Sequence, residues 1–224
     1  MTTASVSSGR TFAKGSGMAG RRLRFEFSLD KFVAVMAYLA DVGKIQDLTK
    51  LKAAKLLFFA DKAHLLKYGR PILGDRYVSM DHGPVPSAAL DLMNRLITPD
   101  EIDDPVREQL RATLSVHRLS FARNQPFRAR VHGEAAYQHL SQSERDVLDE
   151  VIATYGRKPV GELIDLTHKE YAWRISDGTR LRGSSAPMPY ELFFEGEQTV
   201  EASALREFAG AQQEHRDFVS ALSR

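Results

Sequence analysis

Two short pairs of acidic and imidazole side chains could do chemistry. Asp61 and His64 lie three residues apart, and Asp81 and His82 are neighbours further along the chain. On a helix, residues three apart share a face, so the first pair could reach one ion together. Carboxylate oxygens and imidazole nitrogens bind zinc, and bound zinc can activate water for hydrolysis. One hypothesis is therefore a metal-dependent hydrolase that uses Asp61, His64 and His82.

The rest of the sequence favours a protein without catalytic, cofactor or metal sites. The seven histidines are otherwise scattered, and an Asp-x-x-His pair on a helix more often forms ordinary hydrogen bonds. The sequence has neither a glycine-rich phosphate loop nor a Gly-x-Ser-x-Gly elbow, which are the usual marks of nucleotide binding and serine hydrolysis. It also has no cysteine, so disulfides, thiolate ligands and a cysteine nucleophile are excluded.

Composition predicts a cytoplasmic protein built around one core. The chain has 224 residues, of which 43% are hydrophobic, and this is enough to bury the core of a single domain. It contains no apolar run of the length that a membrane span needs, and its start lacks the apolar stretch of a secretory signal. The absence of cysteine is compatible with a reducing compartment. We therefore expect no membrane partner.

Charge is distributed unevenly along the chain. Residues 1–24 hold five of the 31 basic residues and no acidic one, which leaves 26 basic and 29 acidic residues in 25–224. The first segment is also rich in Ser, Gly and Thr, so we predict a disordered basic tail over 1–24 and a folded domain over 25–224. A DNA-binding domain normally has a basic folded body. The charge balance argues against a nucleic acid partner, although a DNA-binding autorepressor stays as a third hypothesis.

Apolar periodicity and capping residues predict a mainly helical fold. Candidate caps precede apolar residues that recur every three or four positions, and glycine ends three of the segments. The predicted helices follow Ser28, Thr49, Ser87, Ser141 and Pro159, and a terminal helix covers 203–222. Residues 76–80 alternate like a short strand, and 114–131 suggest a strand pair. The predicted fold class is mainly α with a small antiparallel β component, in a single compact helical domain with a C-terminal helix.

Three stretches of the chain resemble one known family. They are Lys55-Leu56-Leu57-Phe58-Phe59-Ala60-Asp61, then Gly74-Asp75-Arg76-Tyr77-Val78 with His82-Gly83-Pro84-Val85-Pro86-Ser87, and finally Leu148-Asp149-Glu150-Val151 with Leu166-Thr167-His168. Together they resemble the Panacea domain of SocA-like bacterial antitoxins, over most of 29–175. The resemblance implies a cognate toxin as partner, neutralised by direct binding. It also implies, for the SocA-like branch, a proteolytic adaptor that delivers the toxin to the ClpXP protease.

The segment 81–87 is the predicted contact surface for that partner. Its two prolines fix the backbone, and a preorganised loop loses little entropy when a partner docks. The alternatives are a rigid turn that only sets the angle of the next helix, and a Trp173 that packs within its own domain. The predicted partner-binding residues are Tyr77, Asp81, His82, Gly83, Pro84, Val85, Pro86 and Trp173.

Overall fold

The computed structural model describes residues 22–98, 104–117, 125–197 and 199–223. Within them the fold is α+β, mainly helical, with small antiparallel sheets, as predicted. The helices are α1 (Leu29–Asp41), α2 (Lys50–Tyr68), α3 (Ser87–Ile97), α4 (Pro105–Thr113), α5 (Gln142–Tyr155), α6 (Val160–Lys169), α7 (Tyr171–Asp177), α8 (Glu191–Glu195) and α9 (Val200–Leu222). The strands are β1 (Tyr77–Met80), β2 (Gly83–Pro86), β3 (Leu114–Val116), β4 (Phe127–Ala129) and β5 (Ala186–Met188).

Three of the predicted helices begin at the predicted caps. The hydroxyls of Ser28 and Thr49 accept hydrogen bonds from backbone amides in the first turns of α1 and α2. Ser141 and Glu144 form the expected capping box on α5, in which each side chain satisfies a free amide of the other. Gly69 ends α2 in the left-handed conformation, with a φ of +72°. Short polar caps and terminal glycines act locally, and this is why sequence alone located these ends.

Helix α3 is capped differently from the prediction. Ser87 is its first residue rather than its cap, and Pro86 precedes it without a capping side chain. The Asp75 carboxylate accepts from the amides of Ala88 and Ala89 at 3.0 and 2.8 Å instead. Negative charge at a helix N-terminus is stabilising. A residue twelve positions before the helix therefore supplies the cap, which only the tertiary structure could reveal.

The larger sheet has the strand order β2-β1-β5, and both of its pairings are antiparallel. The sequence predicted 81–87 as a loop, but Gly83–Pro86 form strand β2, and Asp81 and His82 alone make the turn. Proline lacks an amide hydrogen and is tolerated at a sheet edge. Because β2 is an edge strand, its two prolines do not break the ladder, and the segment is a hairpin.

The core is centred on α1 and α2. Helix α2 is buried on every side from Lys52 to Asp61, as expected for a central helix that is apolar on most sides. The predicted strand pair is confirmed as β3 with β4, whereas α4, α8 and β5 had no prediction. Of the predicted tail, residues 1–21 lie outside the described residues, and Leu23 is buried.

Candidate functional site

The hairpin formed by β1 and β2 presents its turn to solvent while its strands are buried. Met80, Asp81 and His82 are exposed, and Gly83 and the three residues after it are buried. Gly83 has a φ of +95°, and a Cβ there would lie 2.5 Å from the Thr167 hydroxyl and 2.9 Å from the Lys55 amine. Only glycine fits both this backbone conformation and this space. The turn is therefore held closely against α2 and α6.

A buried lysine lies directly behind the hairpin. Lys55 of α2 has no exposed surface, and its ammonium donates a hydrogen bond to the Pro84 carbonyl at 2.9 Å. Within the described part of the chain, no carboxylate forms an ion pair with it. Burial without a counter-ion disfavours the charged form and lowers the pKa of Lys55 to about 7. The hairpin thus rests on a buried amine whose neutral form is favoured more than that of an exposed lysine.

The turn is also held from its sides. The Trp173 indole donates to the Met80 carbonyl at 3.3 Å, and the Arg180 guanidinium contacts the Asp81 carboxylate at 2.6 Å. His168 stacks on Trp173, with ring centroids 4.0 Å apart. Burial, with a contribution from nearby Lys55, lowers the pKa of His168, so its imidazole is held neutral. We call Met80, Asp81, His82, Trp173 and Arg180 the hairpin face.

Several buried polar atoms in this region have no hydrogen-bond partner among the described residues. They are Ser79 Oγ on β1, His168 Nε2 on α6 and Ser176 Oγ on α7. Each such atom costs free energy when it is left unpaired, and native structures contain few of them. The underside of the hairpin is therefore less completely bonded than an ordinary core, although its backbone is fixed.

The alternative metal site is not formed. Asp61 is fully buried, and its carboxylate accepts from the amides of Ile72 and Leu73 at 2.9 and 2.8 Å and from the Tyr77 hydroxyl at 3.1 Å. His64 contacts the Arg70 carbonyl at 2.7 Å through Nδ1. Across the described ranges, no group of three or more His, Asp or Glu residues could hold a metal ion. Asp61 and His64 instead organise the segment that follows α2.

The structure places the predicted partner-binding residues in two groups. Asp81, His82 and Trp173 belong to the hairpin face, with Trp173 half-buried. Tyr77 is buried and binds Asp61, so its side chain lies inside the fold. Gly83, Pro84, Val85 and Pro86 are also buried.

Sequence reasoning did not assign a role to Lys55, His168 or Arg180. The sequence does contain a signal for Lys55, because this lysine lies within a helical segment that is mostly apolar. Lysine is seldom buried, so a lysine in such a segment is unusual. His168 and Arg180 had none, since their positions depend on how α6 and the segment after α7 pack against the hairpin.

The segment that contains the hairpin, Lys55 and Trp173 also matches a known family. A family model described as Antitoxin SocA-like, Panacea domain, matches residues 54–174, which is more than half of the 224 residues. The chain belongs to the SocA-like Panacea antitoxin family. No curated protein and no solved structure gives a significant match.

Membership confirms the resemblance seen in the sequence motifs and supports an antitoxin role in a toxin–antitoxin pair. This role favours a protein that acts without catalysis. Helix α9 and the residues before α1 lie outside the matched segment. Among the described residues, no helix combines the length and apolar character needed to cross a membrane.

Proposed function

We propose that this antitoxin neutralises a cognate toxin by binding it directly, with the hairpin face as the contact surface. The observation that carries the proposal is the hairpin itself. Its turn is exposed, its backbone binds Lys55 and Trp173, and its Asp81 carboxylate pairs with Arg180. A surface that is already rigid loses little conformational entropy on binding, so more of its contact energy appears as affinity.

The chemistry of the face also suits a protein partner. Met80 is 37% exposed, and its neighbours Asp81 and His82 are exposed as well. An apolar anchor that is surrounded by charged and imidazole groups is a common arrangement at protein interfaces. Trp173 lies at the base of the turn and adds an aromatic surface.

The first experiment is co-expression of this chain with the product of the adjacent open reading frame. If that product is a toxin, it arrests growth when expressed alone, and this chain restores growth. The purified proteins should then form a stable complex in size-exclusion chromatography. Failure to restore growth, or rescue without a complex, would contradict direct neutralisation by this chain.

Paired substitutions test the surface. We expect Met80→Ser with His82→Ala to weaken toxin binding at least tenfold, since removing central contacts costs on the order of 1–2 kcal/mol or more. The matched control combines Val200→Ser with His139→Ala, which alters an exposed apolar residue and an exposed histidine elsewhere. Equal toxin affinities for the two double variants would show that the hairpin face is not part of the interface.

We further propose that the complex acts in the cytoplasm and that this chain hands the toxin to ClpXP. The support is the resemblance to SocA-like adaptors. The half-life of the toxin, followed in cells with and without ClpXP, tests the proposal. Adaptor function predicts rapid toxin loss only when both this chain and the protease are present. An unchanged half-life with restored growth would mean that binding alone neutralises the toxin.

A further inference from the structure

An extended segment before α1 is fixed against the fold by side chains from two helices. We call residues 22–27 the strap. The Gln213 amide of α9 accepts from the Arg24 amide at 2.6 Å and donates to the Arg22 carbonyl at 3.2 Å. The Glu191 carboxylate of α8 accepts from the Leu23 amide. These bonds hold the strap in one conformation.

The strap alternates between buried and exposed residues. Leu23 is buried, and Phe25 packs edge-on against Tyr190 with ring centroids 4.9 Å apart. Arg22 and Arg24 point the other way and are exposed. In an extended chain, residues two apart lie roughly 6.5–7 Å from each other on the same face. The guanidinium groups of Arg22 and Arg24 are therefore spaced to match alternate side chains of a second extended segment.

These guanidiniums line a groove of about 860 Å³ between the strap, α9 and the segment after α2. Neither Arg22 nor Arg24 forms an ion pair with another described residue. Arg216 of α9 also lines the groove, and its guanidinium lies 5.9 Å from the centre of the Phe25 ring. Lys31 and Arg70 complete the cationic lining.

The cations are only partly neutralised. Lys31 and Arg70 share a single buried carboxylate, that of Glu144, so this cluster keeps one excess positive charge. Glu26 and Asp217 are the acidic side chains of the lining. The groove therefore carries net positive charge, although the chain from residue 25 onward has more acidic than basic residues.

We propose that this groove binds an extended acidic segment of a partner protein, with Arg22, Arg24 and Arg216 pairing with its carboxylates. Glu26, an acidic side chain of the lining, would repel a continuous phosphate backbone, whereas a peptide can place its carboxylates opposite the arginines alone. No residue of the hairpin face lines the groove. The proposal does not depend on the toxin-binding role of that face.

The experiment measures, by fluorescence anisotropy, the binding of a labelled ten-residue peptide of alternating glutamate and serine to the purified full-length chain. We expect binding that weakens as salt is raised, because the contacts are exposed ion pairs. Arg22→Glu with Arg24→Glu should weaken it about tenfold. The control is Arg157→Glu with Arg182→Glu, which reverses two exposed arginines outside the groove and should leave the affinity within about twofold.

Several outcomes would overturn the proposal. These are no binding at low salt, equal losses in the two double variants, or tighter binding of single-stranded DNA of matched length, which would make the groove a nucleic acid site. Circular dichroism of both variants separates misfolding from lost binding. If the groove pair misfolds, Arg216→Glu alone, on the exposed end of α9, replaces it with the same expected direction.

Discussion

Two buried ionisable side chains on α2, Asp61 and Lys55, each bind the backbone of a segment that follows the helix. Asp61 binds backbone amides, and Lys55 binds a backbone carbonyl. Asp61 accepts from the amides of Ile72 and Leu73, whereas Lys55 donates to the carbonyl of Pro84. Asp61 also receives the Tyr77 hydroxyl, while Lys55 makes one bond and has no counter-ion among the described residues. We call the Asp61 site saturated because its carboxylate accepts three hydrogen bonds, whereas the Lys55 amine forms one.

The difference separates a structural centre from the proposed contact surface. A saturated buried charge fixes the chain around it, and its loss leaves several polar groups unpaired. The lysine site fixes the hairpin with fewer bonds and leaves Ser79 and His168 with unpaired atoms. Departures from complete bonding concentrate where proteins bind or react, and here they lie beneath the hairpin face.

The largest expected effect is at the saturated site. Asp61→Ala leaves two buried amides and the Tyr77 hydroxyl without an acceptor, so we expect the free energy of unfolding to fall by about 3–5 kcal/mol. Urea denaturation measures it. The control Asp91→Ala, at an exposed position on α3, should stay within about 0.5 kcal/mol of wild type. A loss of only about 1 kcal/mol for Asp61→Ala would contradict the prediction, because it would show that Asp61 stabilises the fold no more than a single hydrogen bond does.

The next effect is at the hairpin turn. Gly83→Ala combines positive φ with a Cβ placed against Thr167 and Lys55, so we expect a loss of about 2–3 kcal/mol. Gly133→Ala is the matched control, because its φ is +77° and nothing lies within 4 Å of its added Cβ. It should cost about 1 kcal/mol from backbone conformation alone. Equal losses would mean that the turn is not held closely from behind.

The pH dependence of stability distinguishes the two charges. The pKa of Lys55 is lowered to about 7, so between pH 7 and about 10 the unfolded chain binds more protons and stability rises with pH. Below pH 7 the folded state bears the full cost of the buried ammonium. Lys55→Met should therefore help stability most below pH 7, and its advantage should shrink by several kcal/mol towards pH 10.

The pKa of Asp61 is raised to about 7 by burial, against the hydrogen bonds that it accepts. Its stabilising contribution is complete below about pH 4 and is lost as pH rises through 7. Asp61 thus makes stability fall as pH rises towards 7, and Lys55 makes stability rise as pH increases above 7. Denaturation from pH 5 to 10 tests this, and a constant difference between Lys55→Met and wild type would show that Lys55 titrates normally in the folded chain.

The smallest expected effect on stability is at the exposed end of the hairpin. Asp81→Asn removes a surface ion pair with Arg180, and exposed ion pairs contribute little to stability. We expect the binding free energy for the toxin to fall by more than the free energy of unfolding. Calorimetry on the same variant measures the toxin affinity. A stability loss without a binding loss would assign Asp81 to the support of the turn instead of the contact surface.

Local signals predicted the helices well and the hairpin only in part. The caps at Ser28, Thr49 and Ser141 act within one turn of the chain, so their neighbours in sequence specify them. The segment 81–87 was predicted as a loop because its two prolines fix the backbone and disfavour helix in the residues before them. The sequence does not reveal that β2 lies at a sheet edge. The strand β5 comes from a Pro- and Ser-rich stretch and depends entirely on its pairing with β1.

The sequence by itself determined the helical core, the caps of α1, α2 and α5, and the antitoxin family, because these depend on apolar periodicity and short motifs. Tertiary structure alone decided that Tyr77 points inward, that Lys55 supports the hairpin, and that the strap arginines line a groove with Arg216. Residues far apart in the chain make these contacts. A buried charge or a shared groove depends on which surfaces meet in space, and no local pattern records that.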